Sequence, residues 1–411
     1  MDTKPKFFYG YVIVLASFVI MATMMGVSYS FGVFFKPLLE EFGWTRAVTS
    51  GAFSLSLVVL SIFIVVVGKL NDRFGPRIIL SISGLLLGIG YILLSQITNI
   101  WQLYVFYGVI VGAGMSTSYV PIVSTVARWF VKRRGMMTGI TVSGLGVGTL
   151  IMPPLANWFV ANYGWRTSYM IVGIACLILI ILAAQLMRRD PGQMRQVPYG
   201  EADSRENLSL QPIGFSFKQA VHTKQLWMLG FAVVCFSISL GSAIVHIVLH
   251  AIGLGISATS AANILAIIGG VGTVSRIIMG SAYDRIGNKL VLIVCFILIL
   301  ISVVLLLVAK EIWMLYLFAT IFALGYGGIA AVMSPTIAKF FGLSSHGAIL
   351  GVIVTCGEMG KAIGSVLTGY IFDVTRGYQA AFILCLVLSI IGLSLIIAIK
   401  PIDQTVSSDM E

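Results

Sequence analysis

The sequence predicts an all-α membrane protein with twelve transmembrane helices in two pseudo-symmetric six-helix bundles. Three observations lead to this fold class. The composition is too apolar for a water-soluble fold, twelve apolar runs are each long enough to cross a bilayer, and the second half of the chain repeats the first.

The composition separates this chain from soluble proteins. Of its 411 residues, 58% are hydrophobic and 10% are charged, whereas soluble domains carry about 25% charged residues. Too few polar side chains remain to cover a soluble surface, so we expect a lipid bilayer as the surrounding solvent. The net charge of +11 does not indicate nucleic acid, because the basic residues lie in short loops between apolar runs, where they set membrane topology.

The apolar runs have the length of membrane spans. A helix needs about 20 apolar residues to cross the hydrocarbon core. Runs of this kind occupy approximately residues 10–35, 47–69, 77–97, 101–128, 134–161, 166–187, 225–250, 257–283, 288–308, 312–339, 346–371 and 379–399.

Polar and basic residues predict the topology and the division of the chain. Most of the 26 lysines and arginines fall in the same alternate set of loops, which predicts an inner (plasma) membrane protein with both termini in the cytoplasm. Residues 1–187 and 225–411 are the predicted bundles, and the polar segment 188–224 is the predicted cytoplasmic linker. Residues 215–223 at its end are expected to form a short helix on the membrane surface.

An internal repeat relates the two bundles at an offset of 212 residues. The loop Gly68–Arg77 matches Gly280–Lys289, and two further segments follow the same offset. The matched residues are Trp101, Leu103, Tyr104 and Phe106 with Trp313, Leu315, Tyr316 and Phe318, and Gly135, Gly139 and Gly148 with Gly347, Gly351 and Gly360. Parallel halves of this kind are related by an axis along the membrane normal, which predicts a substrate site between them near mid-depth.

These motifs resemble a known family. The Gly-x-x-x-Asp-Arg-x-Gly-x-Arg loop at Gly68–Arg77 resembles the signature between the second and third helices of major facilitator transporters. Residues 28–36 and 127–135 resemble segments of the monocarboxylate transporters and of the neighbouring oxalate/formate antiporters, and Arg276 matches their substrate-binding arginine. The resemblance implies secondary transport of a small monocarboxylate, such as lactate or pyruvate, together with a proton. Exchange of organic anions, as in the oxalate/formate type, is the alternative.

Two departures from the family affect the expected proton coupling. Many relatives carry an aspartate four residues before the arginine, where this chain has Gly272, and a lysine late in the first helix, where it has Tyr29. The coupling mechanism therefore stays open, whereas the substrate class does not depend on these positions.

The resemblance also implies conformational latches in the two signature loops. The latch residues would be Asp72, Arg73, Asp284 and Arg285. In the family, the aspartate of the first loop meets the start of the eleventh helix, where unpaired N–H groups favour negative charge. Ser344 and Ser345 are the expected caps of that helix in this chain.

Three charged residues lie well inside the runs: Arg276, Glu358 and Lys361. Ionisable groups at membrane depth are costly and mark functional sites. Arg276 is the candidate carboxylate anchor, because a guanidinium can donate two parallel hydrogen bonds; a structural ion pair with Glu358 is the alternative. Glu358 and Lys361, three residues apart on one helix, are expected to pair locally, although Glu358 is also a candidate proton carrier.

Polar side chains in four other runs complete the candidate substrate site. His250 is a candidate for binding the carboxylate or carrying the proton, since histidine titrates near physiological pH, and His246 shares its helix face. Tyr119 and Tyr326 are candidate hydrogen-bond donors to the carboxylate, with helix packing as the alternative. The weaker candidates are Tyr29, Leu145 and Asn263.

The remaining observations argue against other classes of protein. The sequence shows no catalytic arrangement, no phosphate-binding glycine loop and, among its five cysteines, no metal-ligand spacing, so we expect neither an enzyme nor a cofactor. A substrate sensor would be expected to add a soluble signalling domain. An exporter of cationic drugs would favour a buried carboxylate over a buried arginine.

Overall fold

The computed structural model describes residues 8–200 and 214–400, apart from the side chains of residues 46, 47, 258 and 259. The described part of the chain is built from α-helices. They are α1 (Gly10–Tyr29), α2 (Phe31–Phe42), α3 (Arg46–Phe74), α4 (Pro76–Leu94), α5 (Ile100–Leu103), α6 (Gly112–Met115), α7 (Val120–Trp129), α8 (Arg134–Leu186), α9 (Phe217–Val221), α10 (Lys224–Gly253), α11 (Ala258–Ile286), α12 (Asn288–Val308), α13 (Ile312–Phe341), α14 (His346–Thr375) and α15 (Gln379–Ala398).

The helices supply the twelve predicted membrane spans. Among the described residues, eleven continuous helical stretches are long and apolar enough to cross a membrane. One of them, α8, has 53 residues and contains Gly164 in a non-helical conformation with φ 75° and ψ 162°. Gly164 divides α8 into the predicted fifth and sixth spans, because only glycine adopts this backbone conformation without strain. The fold class predicted from the sequence is confirmed.

The fourth span, Ile100–Trp129, departs from a regular helix. After α5 it continues as a π-helix at Tyr104–Val111, and residues 116–119 form a turn before α7 begins. Pro121 lies in the first turn of α7, where a residue without an N–H group costs no helical hydrogen bond. The matching tenth span, α13, is one continuous helix, so the repeat in sequence does not extend to the backbone of this span.

Contacts divide the chain into two compact units, Met1–Ser204 and Arg205–Glu411. In the first unit, α8 packs on both α1 and α4. In the second unit, α10 packs on α14, and α11 and α12 both pack on α13. Each unit thus has its own apolar interior.

Glycines let the first and fifth spans of each unit approach at backbone distance. A Cβ atom on Gly148 would lie 2.0 Å from the carbonyl oxygen of Ala22, and one on Gly360 would lie 2.8 Å from the carbonyl oxygen of Val234. Both pairs of positions are related by the 212-residue offset. The same interhelical contact is therefore built twice, as expected for membrane helices that associate through small residues.

The predicted linker is partly described. Residues Pro191–Met194 form a 3-10 turn, and α9 confirms the short helix expected near residues 215–223. Ser216 caps α9, because its hydroxyl accepts from Gln219 N and its own N–H donates to the Gln219 side chain. Residues 201–213 of the linker lie outside the described residues, and the linker boundaries stay a prediction.

The expected capping of the eleventh span is wrong in its detail. Helix α14 begins at His346, and Ser345 occupies the N-cap position without a side-chain capping bond. The Ser344 hydroxyl instead donates to the carbonyl oxygen of Phe215, at 2.8 Å. A tertiary partner thus replaces the local one that sequence spacing suggested.

Replacing Gly148 by alanine should destabilise the first unit. The added methyl group would overlap the Ala22 carbonyl, so α1 and α8 would have to separate. We expect a loss of about 1–3 kcal/mol, the usual cost of overpacking. Thermal unfolding in detergent, followed by tryptophan fluorescence, would measure it.

Gly32 supplies the matched control, since a Cβ atom there would have no neighbour within 4 Å. Gly32→Ala should leave the unfolding temperature unchanged or raise it slightly, because alanine favours the helix. Equal effects of the two substitutions would contradict the close approach at Gly148.

Candidate substrate-binding site

Arg276 is buried because α11 and α13 pack closely around it. A Cβ atom on Gly327 of α13 would lie only 2.5 Å from the carbonyl oxygen of Gly272 on α11. The Ser275 hydroxyl donates to the carbonyl oxygen of Leu324, at 2.6 Å, and ties the same two helices together. As a result, only 1% of the Arg276 surface is exposed.

The Arg276 guanidinium contacts an aromatic ring and has two hydrogen-bond donor atoms without a partner among the described residues. Its Cζ atom lies 5.3 Å from the ring centroid of Tyr326, which is within the range of a cation–π interaction. The Tyr326 ring in turn stacks on Phe236 of α10, with centroids 6.4 Å apart. Nε and Nη1 of Arg276 donate no hydrogen bond within the described residues. Such a group can bind an anion, and a carboxylate matches its geometry.

Gly272 leaves space beside the guanidinium. A Cβ atom on Gly272 would meet Tyr326 Cδ1 at 3.7 Å, the carbonyl oxygen of Ala323 at 3.8 Å and Arg276 Nη1 at 3.9 Å. These are ordinary van der Waals distances. A Cβ atom therefore fits at position 272, next to the donors of Arg276.

Glu358 is paired with Lys361 rather than with Arg276. The Lys361 ammonium lies 2.7 Å from Glu358 Oε2 and donates to Oε1 at 2.9 Å. The local pair predicted from their spacing on one helix is confirmed. No ion pair joins Arg276 and Glu358 within the described residues, so the structural alternative for Arg276 is not observed.

The two histidines of α10 lie in an aromatic corner. The Tyr378 ring is 5.6 Å from the His246 ring and 5.5 Å from the His250 ring, and Phe382 lies 5.0 Å from His250. His246 donates from Nε2 to the carbonyl oxygen of Ser365, at 2.9 Å, while its Nδ1 has no hydrogen-bond partner among the described residues. His250 Nε2 has no hydrogen-bond partner among the described residues, so it can still exchange a proton or bind a ligand.

The other candidate binding residues lie in both units of the chain. In the first unit, Tyr119 precedes α7 and is half-buried, and Leu145 is half-buried on α8. Tyr29 ends α1 and is 55% exposed. In the second unit, Asn263 lies exposed on α11. The contacts of the second unit thus join Arg276 with Tyr326 and leave Asn263 and His250 elsewhere.

The first signature loop holds a network of charges. Asp72 accepts from Arg128 Nη2 at 3.1 Å, and Arg128 Nη1 lies 3.7 Å from Asp190. The Arg73 guanidinium lies over the Phe74 ring, 5.2 Å from its centroid. Asp284 and Arg285 are exposed near the end of α11. Whether these residues act as latches stays a prediction.

Three buried tyrosines inside the first unit were not anticipated. Tyr91, Tyr107 and Tyr169 come from α4, the π-helix and α8, and each is at most 2% exposed. Tyr169 stacks on Phe34 with centroids 3.9 Å apart, and its hydroxyl has no hydrogen-bond partner among the described residues. Nothing in the sequence separates them from ordinary aromatic residues of an apolar run, since their proximity arises only from packing.

No cluster of metal-ligating side chains accompanies these groups. The described residues contain no group of three or more histidines, cysteines, aspartates or glutamates placed to hold a metal ion.

Comparison with known proteins extends these observations. The chain is 26% identical over 377 residues to Monocarboxylate transporter 13 of Bos taurus, with 91% of this chain and 85% of the relative covered. It is also 26% identical over 406 residues to the oxalate:formate antiporter of Oxalobacter formigenes, with 93% and 89% covered.

The fold has solved counterparts as well. The proton:xylose symporter XylE superposes with a TM-score of 0.73 at 14% identity, covering 95% of this chain and 94% of the other. That similarity concerns the fold alone. The sequence profile of the Major Facilitator Superfamily matches residues 14–282 and 253–409, and the chain is therefore a multi-pass membrane transporter of the Major Facilitator Superfamily.

Proposed function

We propose that this chain is a secondary transporter of small monocarboxylates of the lactate or pyruvate type, and that Arg276 binds the carboxylate. The observation that carries the proposal is a guanidinium with 1% exposure whose Nε and Nη1 donate no hydrogen bond among the described residues. A buried charge without a counter-ion is costly. A monocarboxylate supplies one negative charge and two acceptor oxygens, which match this group.

The charge of the spans supports an anionic substrate. Lys361 and Glu358 form an ion pair with each other. Arg276 is the one buried side chain among the described lysines, arginines, aspartates and glutamates, and no carboxylate pairs with it there. A cation would be repelled at this position. The similarity to proteins named for monocarboxylate and oxalate:formate transport agrees with this reading.

Proton co-transport is the first candidate for the driving force. The candidate carriers are His250 and Glu358. Glu358 is already paired with Lys361, whereas His250 Nε2 has no hydrogen-bond partner among the described residues. We therefore propose His250 as the proton carrier.

Anion exchange is the second candidate, and Gly272 is the observation that favours it. With glycine at position 272 and Glu358 paired to Lys361, the second unit offers Arg276 no described carboxylate when substrate is absent. An empty carrier would then change conformation with an uncompensated buried charge. Exchange avoids this step, because one anion leaves only as another takes its place.

Topology and latching complete the proposal. We place the protein in the plasma (inner) membrane with both termini in the cytoplasm, since basic residues concentrate in the loops of that side. Asp72 and Asp284, with Arg73 and Arg285, are proposed as conformational latches.

Replacing Arg276 by alanine should abolish most substrate binding. The loss of a charge-assisted pair should weaken lactate affinity about ten- to hundredfold. Arg276→Lys should restore it only in part, because an ammonium lacks the two-pronged geometry. Uptake of labelled lactate into proteoliposomes, with a binding measurement on the same protein, tests both variants.

Lys310→Ala is the matched control, because it removes one exposed positive charge from the same unit; its uptake should be normal. A double variant, Arg276→Ala with Glu358→Gln, should transport no better than Arg276→Ala alone. Restored transport in the double variant would show that Arg276 serves only as a structural partner of Glu358.

His250→Ala should remove the acceleration of lactate uptake by an inward proton gradient. The imidazole is the proposed site of the transported proton, so uptake should fall to the rate seen without a gradient. Glu358→Gln should keep most of the acceleration. His222→Ala, an exposed histidine after α9, is the control. If His250→Ala and Glu358→Gln both keep full acceleration, neither His250 nor Glu358 carries the proton.

Gly272→Asp should separate the two candidate driving forces. An aspartate there would reach Arg276, since the Cβ position lies 3.9 Å from Nη1. If the wild type exchanges anions, its uptake requires lactate inside the vesicle, and Gly272→Asp should lessen that requirement while weakening lactate binding. Gly272→Asn is the uncharged control. Wild-type uptake that needs no internal lactate would contradict exchange.

A further inference from the structure

The first part of the predicted linker adheres to the loop between the fourth and fifth spans. The Tyr199 N–H donates to the carbonyl oxygen of Trp129, at 2.9 Å. The Tyr199 carbonyl accepts in return from the N–H groups of Val131 and Lys132, at 3.1 and 3.0 Å. Tyr199 thus forms a short parallel β-bridge with this loop.

Side chains strengthen the same contact. The Tyr199 ring packs against Phe8 and Phe130, with centroids 5.7 and 6.0 Å apart. The Arg133 guanidinium lies 5.9 Å from the Tyr199 centroid. Arg133 has φ 63°, a strained conformation for a residue other than glycine, which the surrounding contacts must stabilise.

The end of the linker makes a similar contact in the second unit. The Phe215 N–H donates to the carbonyl oxygen of Phe341, at 2.9 Å, and the Phe215 carbonyl accepts from the Ser344 hydroxyl, at 2.8 Å. The Phe215 and Phe341 rings meet edge to face with centroids 5.9 Å apart. Gly342 has φ 75°, and a Cβ atom there would lie 2.7 Å from Gly214 Cα.

The two contacts lie at positions that the internal repeat relates, although the loop backbones differ, since Phe130 has φ −125° where Gly342 has φ 75°. The offset of 212 residues places Trp129 on Phe341 and Lys132 on Ser344. In each unit, an aromatic residue of the linker therefore donates its N–H to the carbonyl of the first position and accepts a hydrogen bond from the second, from the backbone N–H of Lys132 in one unit and from the side-chain hydroxyl of Ser344 in the other. The two linker residues are not themselves repeat partners, so one kind of site is used twice by different segments.

We propose that the loops 129–133 and 341–345 form two repeat-related docking sites for an extended segment with an aromatic residue, and that the linker occupies both. Docking in the first unit positions Arg128. The Trp129 indole N–H donates to the carbonyl oxygen of Arg188, at 2.9 Å. The Arg128 guanidinium forms ion pairs with both Asp72 and Asp190. Tyr199 and Asp190 are thus positioning residues for the Arg128–Asp72 ion pair.

Hydrogen exchange tests the docking without reference to any substrate. Tyr199→Pro removes the N–H that binds Trp129, so the Val131 and Lys132 amides should exchange about tenfold faster. Tyr199→Phe keeps the backbone and the ring and should leave both rates unchanged. If Tyr199→Pro inserts poorly, Tyr199→Gly, which loses the ring contacts, should accelerate the same two amides. Unchanged exchange in the proline or glycine variant would overturn the docking.

The positioning role is tested by transport, and this part rests on the proposed lactate flux. Asp190→Asn should lower the maximal rate about two- to fivefold, as expected for loosening one partly exposed ion-pair network, while KM stays unchanged. Met194→Ala, at an exposed position of the same turn, is the control. A wild-type rate in Asp190→Asn would overturn the positioning role, whereas an absence of lactate flux in the wild type would contradict only the proposed substrate, and the exchange measurement would still decide the docking.

Discussion

The close approach of backbone to backbone at Gly148 and Gly360 is the constraint on which the helix packing in both units depends. Lipid tails are as apolar as leucine side chains, so burial of apolar surface does not drive membrane helices together. Contact must come from van der Waals packing at short range. The repeat places Gly148 against the Ala22 carbonyl in the first unit and Gly360 against the Val234 carbonyl in the second. The larger side chains nearby pack around these contacts.

The two units share their helix contacts through the repeat but differ in which residues make them. One helical turn further along the same contact, the first unit has Gly26 on α1 facing Met152 on α8, whereas the second has Gly364 on α14 facing the Ile238 carbonyl on α10. The glycine thus lies on the first span in one unit and on the fifth span in the other, but the two helices approach closely in both units. Charge is distributed less evenly, because Arg276, Glu358 and Lys361 all lie in the second unit, while the interior of the first contains tyrosines.

Properties that depend on local pattern could be predicted from the sequence. Span lengths follow from apolar runs, the two bundles from the repeat, and the Glu358–Lys361 pair from a spacing of three residues on a helix. Properties that depend on tertiary contacts could not. The use of Ser344 to hold Phe215, rather than to cap α14, requires knowing what packs against the loop.

The same distinction between local pattern and tertiary contact applies to the candidate site. The depth of Arg276 could be predicted from its place in an apolar run, but its contact with the Tyr326 ring arises from the packing of α11 on α13. Asn263, one of the weaker candidates, lies exposed on α11, and its part in the site stays a prediction. The π-helix at Tyr104–Val111 has no counterpart in α13, so even the repeat did not anticipate it.

The magnitudes support the proposal that Arg276 binds an anion in addition to its contact with an aromatic ring. A cation–π contact such as that with Tyr326 contributes about 0.5–2 kcal/mol. Removing a guanidinium from water costs several kcal/mol even after relaxation of the protein. The ring therefore offsets only part of the cost, and the hydrogen-bond capacity of Nε and Nη1 remains unused within the described residues. A carboxylate supplies both missing terms, a negative charge and two acceptors in one plane. An uncharged solute, such as a sugar, would supply acceptors but not the charge, which supports the organic anion proposed above.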